Sequence, residues 1–138
     1  MPVKHPIEDA YLDVLQNIEF AIVSVYRNDP ELTNWDVESA IDALIRQYQA
    51  EWRGKPVRPA KLSTPRKREV YEAVKSMCEL RLGRDSLETE SGQTVSLQME
   101  SLSLEEIVAI LKRIRKSVRF WDKREGRRGY LDYISAYF

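Results

Sequence analysis

The chain has 138 residues, 43% hydrophobic and 32% charged, with 22 basic and 22 acidic side chains that cancel to a formal net charge of zero. That length suits one domain burying roughly two-thirds of the surface its unfolded chain exposes, and the composition excludes a disordered chain. Zero net charge argues against a dedicated nucleic-acid binder, one cysteine (Cys78) excludes an internal disulfide, and no apolar run suits a signal peptide or a membrane span. The expectation is a single cytoplasmic domain over residues 1–138, with no membrane association.

The first predicted helix opens after Pro6. Ile7, Ala10, Tyr11, Val14, Leu15, Ile18, Ala21, Ile22 and Val25 recur at three- and four-residue spacing, one face of a helix. Asn28-Asp29-Pro30 ends it, because a residue before proline avoids the α region. The second starts near Thr33 or Asn34, both good caps, and its stripe runs Trp35, Val37, Ala40, Ile41, Leu44, Ile45, Tyr48 and Trp52, with Gly54 as the stop. Lys55-Pro56-Val57-Arg58-Pro59-Ala60 is then an extended connector.

A third helix opens at Ser63-Thr64-Pro65, carries Val70, Tyr71, Val74, Met77, Cys78 and Leu82 on one side, and ends at Gly83. Residues 84–102 lack helical periodicity. Ser91-Gly92 marks a turn there, and Val95, Leu97 and Met99 alternate as in an extended segment. Ser103-Leu104-Glu105-Glu106 is a capping box that starts the fourth helix, striped by Leu104, Ile107, Val108, Leu111, Ile114, Val118 and Trp121. Tyr130, Ile134 and Tyr137 keep helical spacing in a short closing helix. The predicted fold is all-α: an antiparallel bundle of four long helices plus a short C-terminal helix, with one long loop at about 84–102.

Catalytic chemistry is hard to assemble from these residues. The single histidine, His5, lies in an N-terminal tail, so neither a nucleophilic triad nor a His-rich zinc site is available. The five glycines stand apart and form no phosphate loop. Glu69-x-x-Glu72 resembles the metal-binding Glu-x-x-Glu of all-α nucleotide pyrophosphohydrolases, but the Glu-x-x-Asp that those proteins carry on a following helix has no counterpart downstream. Asp9, Asp13 and Glu19, or Asp36, Glu38 and Asp42, are the other carboxylate sets that could gather magnesium; solvated helix faces explain them more simply. Cys78, on an apolar stripe beside Met77, reads as a core residue. No catalytic residue, metal or cofactor is expected.

Charge is patterned along the chain. Residues 7–51 hold ten acids against Arg27 and Arg46; residues 53–68 hold seven bases and no acid; residues 85–106 hold six acids and no base; residues 112–128 hold nine bases against Asp122 and Glu125. Helical geometry gathers Lys112, Arg115, Lys116, Arg119 and Lys123 beside the apolar stripe of the fourth helix. Either this basic stripe faces an acidic helix of the same fold, or it converges with the 53–68 segment on a phosphate-binding patch of Arg58, Arg66, Lys67, Arg68, Lys112, Arg115, Lys116 and Arg119.

The carboxy-terminal nineteen residues hold six of the thirteen aromatics, including Phe120. Trp121, Tyr130, Tyr133, Tyr137 and Phe138 are candidates for a protein interface, or else for a tail that closes the core. The leading functional expectation is a non-catalytic protein-interaction or assembly module that forms a homo-oligomer or docks on a protein partner. The alternative is a nucleic-acid-binding protein using segments 53–68 and 112–128.

Overall fold

The computed structural model describes residues 6–84, 87–88, 94–95 and 101–138, with side chains described over 11–84 and 101–138. It is an all-helical structure of α1 (Pro6–Asn28), α2 (Asn34–Trp52), α3 (Pro65–Arg81), α4 (Leu104–Glu125) and the short α5 (Gly129–Ser135). Between α3 and α4, β1 (Leu87–Glu88) and β2 (Thr94–Val95) form a two-residue antiparallel ladder with Leu87 opposite Val95. His5, the turn at Ser91-Gly92, and Leu97 and Met99 lie outside the described residues.

The helix starts follow from local chemistry. The Thr33 hydroxyl accepts from the Asp36 amide while the Asp36 carboxylate accepts from the Thr33 amide, and Ser103 and Glu106 make the same reciprocal pair on α4. Each pair satisfies orphan backbone donors of the first turn. Thr64 caps α3 and Pro65 follows, where a missing N–H costs nothing.

The helices pack as a ring in the order α1, α3, α2, α4, with α4 also against α1 and α5 closing over α4 and α1. Consecutive α1 and α2 therefore sit on the diagonal and scarcely touch. Ion pairs give the directions. Arg81 at the end of α3 meets Asp13 near the start of α1, while Arg66 at the start of α3 meets Asp29 and Glu31 just beyond α1, so these helices are antiparallel. Arg115 and Arg119 late in α4 meet Asp42 and Glu38 early in α2, so that pair is antiparallel too. In contrast, Trp35 faces Lys67, Gln47 bonds Tyr71 and Glu51 bonds Arg84, which makes neighbouring α2 and α3 parallel.

A parallel pair needs a return path. The 19 residues of α2 span about 28 Å, and the extended connector after it, about a dozen residues, reaches up to about 40 Å. It runs back along α2, where the Gln47 side chain donates to the Arg58 carbonyl at 3.3 Å. The 84–102 excursion instead leaves and returns at one point, since the Leu102 amide donates to the Arg81 carbonyl at 2.8 Å.

The core takes Val14, Ile18 and Ile22 from α1, Val37, Ile41 and Leu44 from α2, Val70 and Val74 from α3, Ile107, Leu111, Ile114 and Val118 from α4, and Tyr130, Leu131 and Ile134 from α5. Burying each large aliphatic among these contributes about 1.5–3 kcal/mol. Two expected stripe members are corrected. Trp35 is 63% exposed because it lies about 180–240° around α2 from Val37, Ile41 and Leu44. Trp52 has the right angle but is the last residue of α2, beyond the end of the packed layer, and is exposed. Cys78 is fully buried, and burial pushes its thiol up to about 12.

Candidate functional site

Four of the carboxylates singled out in the sequence are already engaged. Asp13 meets Arg81, Asp36 caps α2, Glu38 meets Arg119 and Asp42 meets Arg115. Glu69 and Glu72 are exposed on α3, and the side chain of Asp9 lies outside the described residues. Burial raises the pKa of Glu19, opposed by the charge of Arg113. Among the described residues, no three His, Cys, Asp or Glu side chains gather as a metal site.

The bases divide into separate groups. Arg66 donates to Asp29 and Glu31, both at 2.6 Å. Arg115 reaches Asp42 at 2.8 Å and Arg119 reaches Glu38 at 2.5 Å. Their pairing with α2 places Glu38 and Asp42 between the α4 stripe and the 53–68 segment, so the two segments do not merge into one uninterrupted basic surface. Lys112, Lys116 and Arg68 are exposed. Arg58 and Lys67 line an open groove of roughly 660 Å³ between α2 and the connector, joined there by Lys61 and by Arg46. Arg46 had a sequence signal: it is one of only two bases in the acidic stretch 7–51.

The aromatic candidates divide as well. Tyr130 is 0% exposed and belongs to the core, which corrects its place among the interface candidates. It is drawn inward because α5 lies close on the end of α4: a Cβ at Gly129 would stand 2.6 Å from the Trp121 carbonyl oxygen. The remaining four form a surface row. Trp121 stacks on Tyr133 with ring centroids 4.4 Å apart, Tyr133 meets Tyr137 edge-on at 5.4 Å, and Phe120 meets Trp121 edge-on at 5.3 Å.

No family model, curated protein or solved structure matches this chain.

The row continues across the molecule. Phe138, adjacent to Tyr137, packs edge-on against Phe20 of α1 at 5.7 Å, and Arg27 donates to the Phe138 carbonyl. Tyr26 donates to Asp132 at 2.8 Å and ties α1 to α5 beside it. Arg124 lies 4.8 Å over the Phe120 ring, a cation–π contact at the other end. Phe20 was missed in the sequence because it stands on the polar side of its helix; an aromatic on that side was the available signal. No helix among the described residues is long and apolar enough to cross a membrane.

Proposed function

We propose that this chain is a non-catalytic interaction module that assembles with a second copy of itself through the aromatic row. One observation carries the reading: Phe120, Trp121, Tyr133 and Tyr137 form a chain of ring contacts, Phe138 next to Tyr137 meets Phe20, and the five other than Trp121 are each between 37% and 70% exposed. A contiguous apolar strip on a soluble surface marks an interaction site, and rigid aromatic anchors carry most of the energy at such sites. The border holds both signs, Arg27 at Phe138 and Arg124 over Phe120 against Asp132 of α5. A two-fold copy can therefore set each sign against its opposite, as an isologous interface requires.

Sedimentation equilibrium from micromolar to near-millimolar concentration tests this. The chain is expected to dimerise, and Tyr137→Arg to weaken the dimer by 30-fold or more, the equivalent of losing about 2 kcal/mol of anchor energy. Helix content should not change, because Tyr137 is 70% exposed. A chain that stays monomeric throughout that range sinks the proposal.

A further inference from the structure

The groove on the outer face of α2 is independent of the aromatic row. Its floor is Ser39, Ala43, Gln47 and Ala50 of α2, with Gln47 reaching across to the Arg58 carbonyl; its far wall is the connector with Pro56, Pro59 and Leu62, and Trp35 stands at one end. Ala43 and Ala50 are small and let a ligand backbone approach closely on either side of Gln47. Along α2 from Trp35 to Ala50 the groove is about 22 Å long, the length of an extended peptide of about six or seven residues.

Two features define the ligand. Arg46, Arg58, Lys61 and Lys67 face the groove, and among the described residues none of them forms an ion pair. Asp42, the one groove carboxylate among the described residues, is held by Arg115. The groove thus presents net positive charge on a molecule whose total is zero. Second, the connector wall is extended yet, among the described residues, makes no backbone–backbone hydrogen bond between Pro56 and Ser63. In an extended chain these amides alternate between two edges: Arg58, Ala60 and Leu62 on the edge whose Arg58 carbonyl accepts from Gln47, and Val57 and Lys61 on the other, so one set of alternate amides suits strand addition by a peptide. A nucleic acid has no backbone that pairs with such an edge.

We propose that this groove binds an extended acidic peptide in which carboxylates alternate with small apolar side chains. Arg46, Arg58 and Lys61 take the carboxylates, the connector edge pairs with the peptide backbone, and Ala43 and Ala50 on the floor receive the apolar side chains. Lys67 supports the end of the site by lying 5.2 Å from the centroid of the Trp35 ring.

The test is fluorescence polarisation of a labelled peptide of alternating Glu and Val against the whole chain, with a Gln–Val peptide and single-stranded oligo-dT of matched length as the other arms. The Glu–Val peptide should bind at least ten-fold tighter than either. The double variant R46E/K61E, both positions exposed, should lower its affinity at least ten-fold with an unchanged circular dichroism spectrum. A43F, which fills the floor, should lower it similarly without altering charge. Absence of binding at millimolar peptide, equal binding of the Gln–Val peptide, tighter binding of oligo-dT, or undiminished affinity in R46E/K61E would each overturn the proposal.

Discussion

The guanidinium of Arg81, only 5% exposed, meets a single carboxylate oxygen of Asp13 at 3.2 Å across the α1–α3 interface. The pair is asymmetric, because the Asp13 side chain is 57% exposed and keeps much of its hydration. Among the described residues the Arg81 Nε has no hydrogen-bond partner. A buried cation with one partner contributes little net stability, yet loses much when that partner is removed.

Asp13→Ala should therefore destabilise the fold by about 2–3 kcal/mol, more than an exposed ion pair is worth. Adding Arg81→Met to the Asp13→Ala chain should recover most of that loss, since a thioether stem fills the same space without a charge. Urea denaturation of the two single variants and the double variant measures this directly. A loss below about 0.5 kcal/mol for Asp13→Ala would mean that water reaches the guanidinium.

The seat of α5 on α4 predicts a sharp effect at Gly129. A methyl group there would lie 2.6 Å from both the Trp121 carbonyl oxygen and the Glu125 Cβ, and the first of these is backbone that cannot move aside cheaply. Gly129→Ala should cost about 1–3 kcal/mol, despite the better helix propensity of alanine. Because Tyr130 and Leu131 would be pulled from the core, the variant should also bind a hydrophobic dye more strongly than the parent chain. Unchanged stability would show that α5 does not pack this tightly.

Stability should fall on the alkaline side. Burial raises the Cys78 thiol from its ordinary 9.0 to about 12, and raises the Tyr48 and Tyr130 phenols above their ordinary 10.0. Each group favours the native state fully below its ordinary value, where both states are protonated. Above that value the unfolded chain gives up the proton first, and stability drops by up to about 1.4 kcal/mol per pH unit per group. The urea midpoint should decline from pH 9 and more steeply from pH 10. In Cys78→Ala the first part of the decline should vanish, leaving an onset near pH 10. A flat profile from pH 9 to pH 11 would contradict the burial of all three groups.

Much of the candidate surface was visible before the fold was. The aromatic run at the carboxy terminus named Trp121, Tyr133, Tyr137 and Phe138, all of which lie on the row. Helical spacing grouped Tyr130, Ile134 and Tyr137, but only the first two are buried; Tyr137 falls on the last turn, past the edge of α1 and α4, and stays 70% exposed. The charge blocks announced that bases and acids would meet. Which ones meet was not legible, because Arg119 and Glu38 are 81 positions apart and only the α2–α4 contact sets their register.

What the sequence alone determined was local: where helices begin, through Thr33, Thr64 and Ser103, and which side of each is apolar. Caps and helical periodicity act over three or four residues, so a linear reading captures them. Tertiary structure decided that α2 and α3 run in parallel, that α1 and α2 lie on the diagonal, and that the connector forms the wall of a cationic groove. Those outcomes depend on which faces bury the most apolar surface together, a sum over residues far apart in the chain.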